Sequence, residues 1–276
     1  MIKDILVNLS PGDARDPAAD YAISLAGLTQ AHLAGIAFRI DPAATPGPFP
    51  MFSGKIIEAA VHEHQEAVNQ AIERFTHAAR VAGVSHECMT HAASLISAAD
   101  TLGRTGRRFD LMVVGQPVPK TIVTEDLMVQ AALFDSGRPL IVVPYIQRAG
   151  AKFDRVAVCW DGSRSAARAI ADALPLLGRA AAIDLVIVTD EPLKSDDVPG
   201  ADIAQHLARH DLPMNVCRIG HGEIDVGNTI LNFVADHSID FLVMGGYGHS
   251  RLRERVFGGV TQTMLMSMTV PTLMSH

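Results

Sequence analysis

The sequence predicts an α/β protein that consists of two tandem doubly wound domains, each a five-stranded parallel sheet of strand order 3-2-1-4-5 flanked by helices. Apolar strand-like runs alternate with helical stretches along the chain, an order that is typical of parallel sheets. The two halves also repeat each other, because residues 109–115 match residues 239–245 class by class. A chain of 276 residues with 48% hydrophobic content can bury two such cores.

The repeat begins with the first strand of each half. Residues 4–9 and 154–160 are short β-rich runs, and each is followed by small polar residues and an alanine-rich helical stretch. Both halves end alike, with an apolar run at 138–144 in the first and at 270–274 in the second. These runs are too apolar to alternate with polar residues, which indicates strands that helices cover on both faces.

The second half defines its elements most clearly. We predict strands near 154–160, 183–189, 214–219, 240–245 and 270–274, and helices near 163–178, 200–210, 224–237 and 258–267. The first half follows the same order but holds extra material after its second strand. That material is a Pro/Gly-rich loop at 42–54 and one long helix at 55–82.

Domain boundaries follow from the repeat. We place the first domain at residues 1–146 and the second at residues 153–276. The linker between them is a short polar stretch that contains a glycine, as is usual for a connection between domains.

The composition excludes several classes of protein. A net charge of −7 opposes binding to nucleic acid, which depends on Lys and Arg displacing counterions from phosphates. No apolar run approaches the roughly 20 residues that a bilayer-crossing helix needs, and the N-terminus lacks the pattern of a signal peptide. We therefore expect a cytoplasmic protein with neither a nucleic acid polymer nor a membrane as its partner.

Catalytic and metal-binding patterns are few. Cys88, Cys159 and Cys217 follow no disulfide or zinc spacing and are expected to be buried thiols, with the first and last in the third strand of their halves. His206 and His210 share one helix face, where an exposed polar surface is the simpler interpretation. The sequence has no Walker A loop and no nucleophile with an evident base. It therefore nominates no catalytic residue and no metal site.

A candidate ligand site follows from the predicted strand order. Ligands bind beyond the carboxyl ends of parallel strands where the order reverses, which in the second half lies between the loops after its first and fourth strands. These loops are residues 161–163 and 245–248. Glycines precede the last predicted helix, and free amides at a helix N-terminus favour phosphate. Alternatively, the glycines only turn the chain, and Asp161 or Ser163 only caps a helix.

The glycine spacing resembles that of the universal stress protein family, whose nucleotide-binding members carry a G-x2-G-x9-G-(S/T) loop before the last helix. Gly245, Gly248 and Gly258 fit this spacing, whereas Gly259 stands where the family usually has Ser or Thr. The resemblance covers essentially the whole chain as two family domains. It implies the Rossmann-like fold of the adenine nucleotide α-hydrolases and the binding of ATP, with or without Mg²⁺, in the second half.

By this resemblance Asp161 contacts the adenine, Thr189 lies beside the base, and Gly222 lies near the sugar-phosphate. The missing hydroxyl at Gly259 weakens binding, since a lost hydrogen bond to a charged group is worth roughly 1.5–3 kcal/mol. The implied nucleotide-binding residues are Asp161, Gly162, Thr189, Gly222, Met244, Gly245, Gly248, His249, Arg251, Gly258, Gly259 and Val260.

The first half lacks the residues that the resemblance assigns to nucleotide binding. Ser10 and Pro11 replace the Asp-Gly pair after the first strand, and Gly115 is followed by Gln116 and Pro117 with no glycine at the required spacing. Because proline removes a backbone donor and fixes φ, an amide cradle is hard to build there. We interpret the first domain as a degenerate partner of the second.

Three functions compete at this point. The chain is a nucleotide-responsive stress protein, a nucleotide-free interaction module of the same family, or an enzyme such as a slow ATPase. Only analogy of fold supports the enzyme. Family members commonly pair their fifth strands across a dimer. The resemblance therefore implies either an intramolecular pseudo-dimer of the two halves or a homodimer of chains.

Overall fold

The computed structural model describes residues 1–12, 14–40, 54–117, 122–189, 200–212, 214–247 and 259–276. The predicted loop at 42–53 lies outside these residues. Contacts between residues divide the chain into two compact units, Met1–Ala151 and Lys152–His276. Each unit is an α/β structure in which strands and helices alternate.

The first unit contains a five-stranded parallel sheet of order β3-β2-β1-β4-β5. The central strand β1 lies between β2 and β4, so the sheet order reverses there. The elements are β1 (Asp4–Asn8), α1 (Pro17–Thr29), β2 (His32–Ile40), α2 (Gly54–Val81), β3 (His86–Ala93), α3 (Leu95–Gly106), β4 (Leu111–Gly115), α4 (Ile122–Phe134) and β5 (Leu140–Val143).

The second unit repeats this order, with β8-β7-β6-β9-β10 from edge to edge and all pairs parallel. The reversal lies between β6 and β9. The elements are β6 (Arg155–Cys159), α5 (Arg164–Leu177), β7 (Ala182–Val188), α6 (Ala201–Ala208), β8 (Asn215–Ile219), α7 (Val226–Asp236), β9 (Phe241–Gly245), α8 (Gly259–Ser267) and β10 (Thr272–Ser275).

The central strands form the core of each unit. Leu6 in β1 and Ala157 in β6 are fully buried, as are the residues on either side of each. A strand buried on both faces has no polar alternation, which is the pattern that the sequence predicted. The doubly wound fold, the parallel sheets and the predicted strand order are confirmed.

Two element boundaries differ from the predicted ones for local reasons. Helix α6 ends at Ala208 instead of residue 210, because the chain turns through Asp211, which has a left-handed φ of 58°. Strand β10 begins at Thr272, since Pro271 before it has no amide proton to offer a neighbouring strand.

The cysteines are less covered than predicted. Cys88, Cys159 and Cys217 are only partly buried. Cys88 and Cys217 do lie in the third strand of their units, but those strands are at the sheet edge in the order given above, where fewer neighbours cover a side chain. The expectation of buried thiols was therefore wrong for these two edge positions. Cys159 is partly exposed as a residue, but its thiol is buried.

No helix in the described ranges combines the length and the apolar character that crossing a membrane requires.

Candidate functional site

The carboxyl ends of β6 and β9 form the centre of the candidate site. The two strands are parallel neighbours with Val158 opposite Val243, so the loops that follow them leave the same edge of the sheet. Gly245 packs directly on the first turn of α5. A Cβ atom at Gly245 would lie 2.6 Å from the Ala166 amide nitrogen and 2.7 Å from Ser165 Oγ. Only glycine permits this close approach between the end of β9 and the start of α5.

Asp161 holds the turn between β6 and α5 while its side chain stays exposed. Its Oδ1 accepts a hydrogen bond from the Ser163 amide at 2.9 Å, and Gly162 between them has a φ of 73°. Ser163 is the N-cap of α5, because its Oγ accepts the Ala166 amide at 3.1 Å. The carboxylate is thus exposed beyond the carboxyl end of β6, where a ligand could donate hydrogen bonds to it.

The thiol of Cys159 lies at the end of β6, close to this carboxylate. Burial of the thiol, and secondarily the negative charge of Asp161, raises the pKa of Cys159 to about 12. A thiol with that pKa stays protonated at neutral pH and is a poor nucleophile. The site therefore contains no activated cysteine.

Backbone and side-chain hydrogen bonds fix the segment that follows β9. The Gly246 amide donates to the Ser275 carbonyl at 2.9 Å, and the Gly246 carbonyl lies 3.1 Å from Nδ1 of His276. The Tyr247 amide donates to Thr261 Oγ1 at 3.2 Å. Tyr247 itself has a left-handed φ of 55°, which is uncommon for a residue with a side chain. The chain is therefore held in a defined path where it leaves the sheet.

The remaining predicted site residues lie at different depths. Thr189 continues the ladder beyond β7, with its amide donating to the Ile219 carbonyl at 2.9 Å. Gly222 is exposed with a φ of 56° in the loop after β8. Met244 is only 4% exposed, so its side chain belongs to the core and only its backbone faces the crevice side of the strand end. Gly259 and Val260 form the first turn of α8, and Gly259 is exposed. Gly248, His249, Arg251 and Gly258 lie outside the described residues.

The structure brings Asp161, Gly162 and Gly245 together at the junction of two neighbouring strands. Thr189 follows β7, one strand away, and Gly222 follows β8, two strands away. Sequence reasoning missed Ser165 and Thr261, which are 6% and 4% exposed. In the sequence, these two residues stand out only as hydroxyl side chains in the first turn of a helix. An ordinary capping residue has the same feature.

Metal ligands do not cluster in the described ranges, where no group of three or more His, Cys, Asp and Glu residues could hold an ion. The rings of His206 and His210 lie 5.0 Å apart, edge to face, on α6 and just beyond its end. Both residues are exposed, in agreement with the predicted polar helix face.

The equivalent edge of the first unit is occupied by its own side chains. Gln116, in the place of Gly246, is 2% exposed and accepts the Tyr145 amide on Oε1 at 3.3 Å. The Asp16 carboxylate accepts the Ser10 amide at 2.8 Å and the Ala19 amide at 3.0 Å. Burial raises the pKa of Asp16 above its ordinary value. The loop after β1 is thus closed by internal hydrogen bonds.

Comparison with known proteins shows a sequence likeness in the second unit. The sequence profile of the universal stress protein family matches residues 152–276. A universal stress protein of Synechocystis is 38% identical over 55 residues, which are 20% of this chain and 18% of that relative, so the match spans about a fifth of either protein.

Solved structures show a likeness of fold. A universal stress protein from Archaeoglobus fulgidus is 14% identical, covers 99% of this chain and 95% of its own, and superposes with a TM-score of 0.72. A universal stress protein family protein from Arabidopsis thaliana with AMP bound is 12% identical, covering 51% of this chain and 91% of its own with a TM-score of 0.33. The second unit therefore resembles the universal stress protein family in sequence, and the whole chain shares the fold of a solved universal stress protein.

Proposed function

We propose that the chain is a nucleotide-responsive stress protein whose second unit binds an adenine nucleotide, with ATP as the first candidate, with or without Mg²⁺. The observation that carries this proposal is the contact between Gly245 and the first turn of α5. That contact brings the end of β9 against the start of α5, and Asp161 lies in the short loop that leads into α5. A carboxylate beside a glycine-rich backbone offers an acceptor for a nucleoside and donors for its phosphates.

The nucleoside end would lie at Asp161. Its carboxylate accepts hydrogen bonds only, which suits the exocyclic amine of adenine or a ribose hydroxyl. One of its oxygens already accepts the Ser163 amide, so its direction is fixed before a ligand arrives. Thr189 and Gly222 at the same edge would flank the base and the sugar.

The phosphate end would lie at the start of α8. The first amides of a helix have no partner within the helix and carry partial positive charge, which favours an anion. Gly259 is exposed, and a Cβ atom added there would meet no atom of the described residues within 4 Å, so these residues leave the helix end accessible. Gly248, His249, Arg251 and Gly258 complete the proposed phosphate contacts by the resemblance alone.

The first unit would not bind the nucleotide. The buried Gln116 side chain stands where the second unit has Gly246, and the Asp16 carboxylate is already engaged by the Ser10 and Ala19 amides. A ligand would have to displace these contacts. We therefore propose the first unit as a degenerate partner domain.

The single tryptophan of the chain, Trp160, adjoins Asp161 and provides the test. Titration of the full chain with ATP and Mg²⁺ should change the emission of Trp160 in a saturable way and release or absorb heat in calorimetry. No change in emission together with no heat at millimolar nucleotide would overturn the proposal. Such a result would favour the nucleotide-free interaction module.

Matched carboxylate variants make the test specific. Asp161→Ala should weaken ATP binding strongly, since it removes the proposed acceptor for the nucleoside. Asp236→Ala removes an exposed carboxylate at the last residue of α7, next to the amino end of β9 instead of its carboxyl end, and should leave binding unchanged. Nucleotide that is returned intact after long incubation would separate binding from a slow ATPase activity.

A further inference from the structure

Thr261 makes a side-chain hydrogen bond to the segment that follows Gly246. It is the third residue of α8 and only 4% exposed. Its Oγ1 accepts a hydrogen bond from the Tyr247 amide at 3.2 Å. Tyr247 and Gly259 flank the sequence 248–258, so this hydrogen bond joins the two described ends of that stretch.

Tyr247 needs such a tie because its backbone conformation is unfavourable. A φ of 55° places it in the left-handed region, where the Cβ atom of an L-residue approaches the following carbonyl oxygen. Residues in this region persist when the surrounding structure holds them there. The amides of Gly246 and Tyr247 both donate to the rest of the unit, but the Gly246 amide donates to a backbone carbonyl, and only the Tyr247 amide donates to a side chain.

The first turn of α8 carries its hydroxyl at Thr261 and not at Gly259. Gly259 has no side chain at the first position of α8, and among the residues that the structure describes no atom lies within 4 Å of where its Cβ would be. Two residues later, Thr261 carries a hydroxyl that points inward to the Tyr247 amide instead of outward to a ligand. The hydroxyl in the first turn of α8 therefore binds the protein backbone and is turned away from the proposed ligand.

We infer that Thr261 is a positioning residue of the nucleotide site: its hydroxyl holds Tyr247 in the left-handed conformation and thereby sets the distance between the end of β9 and the first amides of α8. This inference rests on the proposed function, because it assigns the same site. Thr261 acts through Tyr247 and does not itself touch the nucleotide.

Threonine-to-valine substitution tests this role, because valine keeps the shape of threonine and removes the hydroxyl. Thr261→Val should leave the Tyr247 amide without its acceptor, so that amide should exchange with deuterium at least about tenfold faster in the native state. Binding of ATP should weaken by about tenfold. Thr261→Ser restores the hydroxyl and should return both the exchange rate and the affinity close to those of the parent chain.

Thr263→Val is the matched control. It removes a hydroxyl two residues further along the same helix, and Thr263 makes no hydrogen bond through its side chain within the described part of the chain. This variant should exchange and bind as the parent chain does. If Thr261→Val does not fold, Thr261→Ala compared with Thr261→Ser repeats the comparison with a smaller side chain.

The outcomes separate the inference from the proposed function. A parent chain that binds ATP, with a Thr261→Val variant that binds equally well and keeps a slow Tyr247 amide, overturns the role of Thr261 and leaves the proposed function standing. A parent chain that binds no ATP overturns both. Weaker binding and faster exchange in Thr261→Val alone, with recovery in Thr261→Ser, supports the inference.

Discussion

The Asp240 carboxylate accepts the backbone amide of Asp154 at 3.0 Å, and so ties the residue before β9 to the start of β6. The Arg155 amide donates to the same oxygen at 3.3 Å. Asp110 makes the matching pair in the first unit, where it accepts the amides of Lys3 and Asp4 at 2.8 and 3.1 Å. The internal repeat thus extends from sequence pattern to individual hydrogen bonds.

This tie should matter for stability, because Asp240 is 7% exposed in its side chain and serves two amides at once. Asp240→Ala should lower the free energy of unfolding of the second unit by about 1–3 kcal/mol, since it leaves partly buried amides without an acceptor. Urea unfolding followed by Trp160 emission reports on this unit. Asp236→Ala serves as the exposed control, and equal midpoints for the two variants would contradict the prediction.

A methyl group at Gly245 should disrupt the junction on which the proposed site depends. Gly245→Ala places its Cβ 2.6 Å from the Ala166 amide nitrogen, a backbone atom that cannot move without shifting α5. We expect a loss of about 1–3 kcal/mol in unfolding free energy and weaker ATP binding. Gly259→Ala adds the same methyl group where no atom of the described part of the chain lies within 4 Å, and it should be tolerated. Thermal melting of both variants checks this contrast, which fails if they melt together.

A hydroxyl at residue 259 should strengthen nucleotide binding. Gly259→Ser introduces the side chain that the family usually has at this position, at an exposed and unobstructed helix start. A hydrogen bond to a charged phosphate is worth roughly 1.5–3 kcal/mol, so the affinity for ATP should rise by about tenfold or more. Calorimetry of the parent, Gly259→Ser and Gly259→Ala separates the hydroxyl from the added carbon. Equal affinities for the serine and alanine variants would show that no phosphate contact forms there.

Alkaline pH should destabilise the second unit through Cys159. Burial and the nearby Asp161 charge raise the pKa of the folded thiol to about 12, whereas an unfolded cysteine has a pKa of about 8.5. Between these values the folded state keeps a proton that the unfolded state loses, so stability falls as pH rises through this window. Unfolding free energies measured at about pH 7 and about pH 10 should therefore fall more in the parent chain than in Cys159→Ala. The same fall in both chains would assign the effect to other groups.

Much of this architecture can be predicted from the sequence. Strands such as β6 and β9 have continuous apolar runs because both of their faces are buried. Such a run can be recognised from the residue types alone. The match of residues 109–115 with 239–245 then gives the second copy without any further information. Local chemistry also predicts a helix cap at Asp161 or Ser163, since capping depends only on the residues beside it, and the structure has Ser163 as the cap.

Other features depend on the tertiary structure. The left-handed Tyr247, the inward hydroxyl of Thr261 and the partial exposure of Cys88 cannot be predicted from their neighbours in sequence. Each depends on which residue from a distant part of the chain lies against it, and that is fixed only when helices and strands pack.

The sequence by itself determined the two α/β units, because burial periodicity and turn chemistry are local properties. The strand order was an expectation of the fold class, which the pairing of the strands confirms, and the edge proposed for a ligand stays a prediction. Only the tertiary structure decided that Gly245 contacts the first turn of α5 and that Asp240 and Asp110 tie the strand starts. These contacts join residues far apart in the chain, and their distances follow from close packing, which no local pattern encodes.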